Sequence, residues 1–168
     1  MLHRKSVRLP AANYVGCNIY FLTVCCDCRR PYLSDPAIGT LVRRALLQSA
    51  SSHSFTIHAF CLMPDHIHFL AEGTHSTSDA LEFARYFKQR TAFFHKQRAQ
   101  RVLWEFGYHD HILRAHDGLI EVARYIWWNP VRKKLCLHPN DYPYSGSQTF
   151  PWMQDSQFPS TWTASWHK

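Results

Sequence analysis

The sequence predicts an α+β fold, in which an antiparallel four-stranded sheet carries helices on one of its faces. The first observation is a hairpin at residues 58–70, where two apolar runs flank the turn-forming pair Pro64-Asp65. The second is the order of the other elements: a strand and a helix precede the hairpin, and a helix, a strand and a third helix follow it. Helices segregated beside an antiparallel hairpin are typical of the α+β class.

The composition indicates a single globular domain. Of the 168 residues 46% are apolar, which suffices for a normal core and argues against disorder. We expect one domain over residues 1–168, with a basic arm at 1–13 and an irregular tail at 139–168. No run reaches the roughly 18 apolar residues of a membrane span, and the N-terminus lacks the apolar core of a signal peptide. We therefore expect a cytoplasmic protein with no membrane partner.

The elements before the hairpin have clear signals. Residues 18–25 are rich in β-branched and aromatic side chains, which predicts the first strand. Residues 36–52 fit a helix that begins at Asp35 or Pro36. Its predicted core stripe consists of Ile38, Leu41, Val42, Ala45 and Leu46.

After the hairpin, Ser78 or Asp79 can cap a second helix that runs to about residue 97. The side chains predicted to face inward are Leu81, Ala84, Tyr86 or Phe87, Thr91 and Phe94. A fourth strand is expected at residues 108–115. A third helix is expected at 118–129, capped by Asp117 and ended by Pro130.

The net charge of +7 favours an anionic partner, and nucleic acid is the commonest. The alternative is a basic surface that serves only solubility. The outer faces of the first two helices carry charges of one sign, which favours a surface that faces phosphates. The cations predicted to contact such a nucleic acid are Arg4, Lys5, Arg8, Arg43, Arg44, Arg85, Lys88, Arg90, Arg124 and Arg132.

The hairpin carries a candidate metal site. In its returning strand His66 and His68 leave from one face, with Cα atoms about 7 Å apart, so both imidazoles can converge on one divalent ion. The alternative is that both histidines are structural. Cys25 and Cys28 form the one C-x-x-C of the chain, so neither a structural zinc site nor a disulfide framework is favoured.

The third helix carries a candidate nucleophile on its flank. Tyr125 and Asn129 lie one turn apart, beside a core stripe that contains Val122 and Ile126. Tyr125 is either a boundary residue with a solvated hydroxyl or a phenol offered to a site at the sheet edge. The amide oxygen of Asn129 can reach the same metal ion, since amide oxygens suit hard cations.

Five motifs, in order, resemble the single-tyrosine transposases of the HUH endonuclease group, in the branch of REP-associated tyrosine transposases. M-P-D-H-I-H at residues 63–68 is similar to the His-hydrophobic-His motif, and R-Y-I-W-W-N-P-V-R-K-K-L at 124–135 is similar to the tyrosine helix. The other three are I-Y-F-L-T-V-C at 19–25, W-x-x-G-Y-H-D-H-I-L-R at 104–114 and D-Y-P-Y-S at 141–145. The resemblance covers about residues 14–147.

The resemblance implies a ferredoxin-like sheet of the HUH endonuclease type and a set of site residues. Tyr125 corresponds to the nucleophile, His66 and His68 to the ligands of Mg²⁺ or Mn²⁺, and Asn129 to a third ligand. Two residues depart from the family pattern. Asp65 stands where Asn is frequent and adds a carboxylate, and Lys134 stands where Gly is frequent in the turn after N-P-V-R-x.

The implied function is cleavage and rejoining of DNA through a 5′-phosphotyrosine. The expected partner is single-stranded or hairpin DNA, such as repetitive palindromic elements or transposon ends, bound by a monomer or homodimer. A partner of this kind implies that the protein is nucleoid-associated. Candidate base-stacking residues are Tyr86, Trp104, Trp127 and Trp128. The alternative for each of them, and the one more typical of a single aromatic residue, is a place in the core. Two alternatives remain open: a non-catalytic nucleic-acid-binding module, and a zinc hydrolase that uses His66, His68 and a carboxylate from Asp65 or Glu121.

Overall fold

A five-stranded antiparallel sheet forms the centre of the computed structural model, which describes residues 10–114 and 117–151. The strands are β1 (Ile19–Cys25), β2 (Phe55–Met63), β3 (His66–Gly73), β4 (His109–Ile112) and β5 (Ser145–Gly146), in the spatial order β4-β1-β3-β2-β5. The helices are α1 (Pro36–Ser52), α2 (Ala80–Ala99), α3 (Leu119–Trp127) and α4 (Asn129–Arg132). The α+β class and the antiparallel sheet are therefore confirmed.

The predicted hairpin is the centre of the sheet. Met63 pairs with His66 across the turn of Pro64 and Asp65, and β3 lies between β2 and β1. The backbone carbonyls of the turn are also used: Asp65 accepts from the N–H of Cys26 at 2.8 Å, and Pro64 accepts from the N–H of Leu33 at 2.9 Å. The segment after β1 is thereby fixed against the turn.

Helices cover both faces of the sheet, and not one face as predicted. Side chains such as Leu22 and Phe69 pack with α1 and α2 in one core, whereas Phe21 and Leu70 pack with α3 in a second. The physical reason is that β1 and β3 are apolar on both faces, and the strongly apolar stripe of α3 covers the second. The two cores meet across the sheet.

The fifth strand was not predicted. Ser145 and Gly146 pair with Cys61 and Phe60 at the edge of β2, within the tail that was expected to be irregular. A Cβ atom on Gly146 would lie 2.9 Å from the Phe60 ring, so glycine allows this close approach. Two residues are too few for a recognisable alternation, so no local pattern indicates this strand.

The first two helices follow the predicted signals closely. Asp35 caps α1 by accepting from the N–H of Ala37, and Asp79 caps α2 by accepting from the N–H groups of Leu81 and Glu82. The buried stripe of α2 is shifted from the prediction by one position near its end. His95 is buried, whereas Phe94 is 40% exposed.

The third helix differs from its prediction at both ends. Asp117 does not cap it; its carboxylate accepts from the N–H of Arg114 at 2.6 Å, and Gly118, with a φ of 68°, precedes the helix. This turn ends β4 at Ile112, short of the predicted strand end. Pro130 does not end the helical region but lies in the first turn of α4, where a missing N–H is tolerated.

No helix in the described ranges is long and apolar enough to cross a membrane. The predicted DNA contacts Arg4, Lys5 and Arg8 and the tail beyond residue 151 lie outside the described residues.

Candidate active site

A cavity of about 600 Å³ opens where α3 and α4 cross the end of the central strands. It lies on the sheet face opposite α1 and α2. The four site residues expected from the sequence, His66, His68, Tyr125 and Asn129, all line it. The other polar lining residues are Thr23, Cys25, Arg29, Asp65, His109 and Lys133.

The alternation of β3 places the two histidines side by side. His66 lies opposite Cys25 and His68 opposite Thr23 in the pairing with β1, and both rings are buried. Their Nε2 atoms are 3.0 Å apart, with the ring planes at 79°. Both Nε2 atoms therefore point toward one position.

The Nδ1 atoms of the two histidines contact different partners. Asp65 Oδ1 lies 2.6 Å from Nδ1 of His66, and Thr23 Oγ1 lies 2.7 Å from Nδ1 of His68. A carboxylate only accepts, so Nδ1 of His66 carries the hydrogen and its Nε2 presents a lone pair to the cavity. A hydroxyl can donate or accept, so Thr23 is compatible with either tautomer of His68.

Arg29 holds the carboxylate of Asp65. Its Nε lies 2.7 Å from Asp65 Oδ2, and its Nη1 donates to Sγ of Cys25 at 2.7 Å. Cys28 and Arg29 have φ values of 52° and 54°, in the left-handed region that non-glycine residues rarely adopt. This unusual backbone turns the Arg29 side chain back toward the hairpin turn.

Burial lowers the pKa of His66, against the opposing effect of the Asp65 carboxylate. Burial therefore favours the neutral imidazole, which is the form that binds a metal ion. Burial also raises the pKa of Cys25, which keeps this thiol protonated despite the nearby Arg29 guanidinium.

Tyr125 projects from α3 into the cavity and is flanked by Phe21 and Arg132. The rings of Phe21 and Tyr125 are 6.3 Å apart, and Phe21 also stacks on His68 at 5.5 Å. Cζ of Arg132 lies 4.1 Å from the centre of the Tyr125 ring, and its guanidinium donates to the Tyr125 carbonyl. The bend between α3 and α4 brings Arg132 back over the tyrosine, in a cation–π contact.

The donor set fits an octahedral divalent cation. Adjacent ligands at about 2.1 Å and 90° from such an ion are about 3.0 Å apart, which matches the Nε2 separation. Asn129, only 3% exposed, lines the cavity and adds an amide oxygen. Among the described residues no three His, Cys, Asp or Glu side chains converge on one point.

The same geometry does not favour the zinc-hydrolase alternative. Asp65 contacts the Nδ1 side of His66, away from the position that both Nε2 atoms face. Glu121 lies 3.3 Å from Arg124 in an ion pair along α3 and is not among the cavity-lining residues. Neither carboxylate is placed as a third ligand.

The predicted DNA-binding cations are divided between the two faces of the sheet. Arg43, Arg44, Arg85 and Arg90 lie on α1 and α2, across the sheet from the cavity. Lys88 also belongs to α2, but its ammonium group donates to the carbonyls of Glu105 and Gly107 in the loop before β4. Arg124 and Arg132 lie on the cavity side, in α3 and α4. Among the predicted cations that lie within the described residues, only these two are near Tyr125. DNA contact by any of the predicted cations stays a prediction.

Three of the four candidate base-stacking residues lie in the cores, which is the alternative expected for each of them. Trp104, Trp127 and Trp128 are 4–6% exposed and pack in the two cores. Tyr86 is half-buried beside His53, with ring centres 4.7 Å apart. A tryptophan side chain has a large apolar area, so its burial stabilises a core strongly. These three tryptophans are used in that way.

Sequence analysis missed four polar residues of the cavity: Thr23, Arg29, His109 and Lys133. Strand alternation carried a signal for one of them, since His109 lies opposite Thr23 once β4 pairs with β1. Arg29 lies in a loop whose sequence indicates a positive charge but no site. Its position depends on two left-handed residues that no local pattern predicted.

The chain is similar in sequence to proteins described as transposases. The family model described as "Transposase IS200 like" matches residues 15–128. A Haemophilus influenzae protein named as a REP-associated tyrosine transposase is 27% identical over 139 residues, which cover 76% of this chain and 78% of the relative.

Two solved structures share the fold. One is a REP-associated tyrosine transposase bound to a REP hairpin, with a TM-score of 0.72, 19% identity and coverage of 95% of this chain and 92% of that one. The other is a Deinococcus radiodurans R1 protein described as a transposase, with a TM-score of 0.51, 20% identity and coverage of 65% and 88%.

Proposed function

Because the chain belongs to the IS200-like transposase family, we propose that it cuts and rejoins single-stranded or hairpin DNA through a 5′-phosphotyrosine. The observation that carries the proposal is that Tyr125 lines the same cavity as His66, His68 and Asn129. A nucleophile and three donors for a hard cation are the parts that such a reaction requires. The hairpin bound by the solved relative supports hairpin DNA as the substrate class.

Tyr125 is the nucleophile in this proposal. Its hydroxyl loses its proton, its oxygen bonds to phosphorus, and the bond from phosphorus to the 3′ oxygen breaks. The leaving 3′ oxygen takes a proton, so the products are a 5′-phosphotyrosine and a free 3′-hydroxyl. One phosphodiester replaces another, and a 3′-hydroxyl can reverse the step without ATP.

The surrounding side chains position the reacting groups. Arg132 fixes the Tyr125 ring from one side, and its positive charge stabilises the phenolate as it forms. His66, His68 and Asn129 would hold Mg²⁺ or Mn²⁺, which would neutralise charge on a non-bridging phosphate oxygen. Arg29 and Lys133 line the cavity and attract the phosphate backbone.

A nicking assay tests the proposal. We expect the full chain to cut a panel of hairpin oligonucleotides with unpaired flanks in Mg²⁺ or Mn²⁺ and to stop in EDTA. His66→Ala and His68→Ala should abolish cleavage and keep most DNA affinity, because affinity rests on many phosphate contacts. His75→Ala is the matched control, since His75 is exposed and does not line the cavity. Cleavage at the wild-type rate by either cavity variant would disprove the ligand assignment.

A further inference from the structure

Phe106 is the most exposed of the large apolar side chains in the described residues, at 109% of its reference area. We propose that Phe106 is a platform on which an unpaired base of the DNA stacks at the rim of the active-site cavity. The inference rests on the proposed function and names a contact that the cleavage chemistry does not require. It also assigns the stacking role that the buried tryptophans cannot fill.

The loop that presents Phe106 is fixed on both sides of the residue. The ammonium group of Lys88 donates to the carbonyl of Glu105 at 2.9 Å and to the carbonyl of Gly107. Gly107 has a φ of 84°, a conformation that a side chain would strain. The backbone around Phe106 is therefore held by a cation from α2, so little conformational entropy remains to be lost when a ligand binds.

The residue before this loop is buried and anchored. Trp104 is 5% exposed and donates from Nε1 to Oγ1 of Thr91 at 2.7 Å. The aromatic side chain at 104 thus packs inward, while the one at 106 projects into solvent. The phenyl at 106 therefore takes no part in the core. Single exposed apolar side chains are common on protein surfaces, so it is the position of this one, on an anchored loop beside the cavity, that distinguishes it.

The loop borders the cavity at two points. The N–H of Glu105 donates to the carbonyl of Cys25 at 2.9 Å, and Cys25 lines the cavity. His109, which also lines the cavity, follows Phe106 by three residues, so the two Cα atoms are at most about 11 Å apart. In this proposal, a strand whose phosphate reaches Tyr125 passes the loop that carries Phe106.

An unpaired base fits this position better than a protein side chain does. Every base has an aromatic face, and stacking on phenylalanine requires no hydrogen-bond pattern. The cavity rim also carries Arg29 and Lys133, which suit a phosphate backbone. Phe93 provides a contrast, because it is 59% exposed on α2 but contacts Phe94 and lies on the helix layer across the sheet.

The test measures the affinity of the full chain for a labelled hairpin with unpaired flanks, by fluorescence anisotropy. Phe106→Ala should bind about fivefold or more weakly, since loss of one base stack typically costs at least about 1 kcal/mol. Phe106→Trp should bind as well as the wild type. Phe93→Ala is the matched control and should bind unchanged. Circular dichroism melts should coincide for all four proteins, because neither side chain is buried.

An abasic scan identifies the stacked base. Removal of single bases from the flanks should weaken wild-type binding at one or two positions, and Phe106→Ala should be insensitive at those same positions. Equal affinity of Phe106→Ala and the wild type would overturn the proposal. A protein partner would then be the remaining candidate for contact with Phe106. Equal abasic effects in both proteins would overturn it too. Absence of wild-type binding to every hairpin would instead refute the proposed function, and this inference with it.

Discussion

The two histidines of the cavity differ in the group that contacts Nδ1, which is a carboxylate for His66 and a hydroxyl for His68. Asp65 fixes the lone pair of His66 toward the cavity, and Arg29 fixes Asp65 through a contact of 2.7 Å. Partners of this kind typically change metal affinity by about 10- to 100-fold when they are removed. Asp65, a departure from the family pattern, is thus paired with a specific cation.

Substitution of Arg29 separates positioning from charge. We expect Arg29→Met to bind Mn²⁺ about tenfold more weakly in a calorimetric titration without DNA, because Asp65 loses the contact that orients it. If Arg29 acted by charge alone, removal of a cation near a divalent ion would tighten binding. Arg30→Met is the matched control, since Arg30 pairs with Asp27 and not with Asp65. Tighter or unchanged binding by Arg29→Met would contradict the positioning role.

The sequence predicts the place of some cavity residues but not of others. His66 and His68 follow from strand alternation, and Tyr125 and Asn129 from helical spacing together with the family motif. Thr23 and Arg29 do not follow, because their roles depend on which strand pairs with β3 and on two left-handed residues in a loop. Such relations are set by tertiary structure and leave no local pattern.

At the scale of elements, the sheet lies between the cavity and most of the predicted phosphate contacts among the described residues. α1 and α2 pack on one face, and the cavity opens on the other. Arg43 and Arg44 are exposed on α1, and neither lines the cavity. Any DNA contact that they make is therefore with a part of the substrate away from the scissile phosphate.

Salt dependence tests that contact. In Arg43→Gln or Arg44→Gln, loss of one phosphate contact should flatten the plot of log affinity against log salt by about 0.7 for a single strand. The cleavage rate at saturating DNA should not change, because α1 lies across the sheet from Tyr125. An unchanged slope in both variants would show that this face of α1 is ordinary solvated surface.

The elements themselves were predicted well where the signal is local. α1 begins and ends at the predicted residues, and the hairpin turn lies at Pro64 and Asp65. The location of α3 on the second face and the pairing of β5 with β2 were missed. Both depend on contacts between segments far apart in the chain, which residue patterns do not encode.

At the scale of the whole molecule, the site is assembled from most of the chain. β1 contributes Thr23, β3 contributes His66 and His68, and the α3–α4 pair contributes Tyr125 and Asn129. The net charge of +7 provides long-range attraction for an anionic substrate. The fold thus brings the proposed nucleophile and the proposed metal ligands to one cavity, whereas in the sequence they lie in separate motifs.

The measurement that tests this account most directly is detection of the covalent adduct. The full chain is incubated with a 5′-labelled and, separately, a 3′-labelled hairpin in Mg²⁺ or Mn²⁺, denatured, and separated on a gel. We predict a shifted protein band that carries the DNA piece 3′ to the cut, and a nucleotide mass on the peptide that contains Tyr125. Tyr125→Phe, which removes one oxygen, should abolish the adduct with little loss of DNA affinity. Cleavage by Tyr125→Phe at the wild-type rate, or cleavage by the wild type without an adduct, would contradict the account.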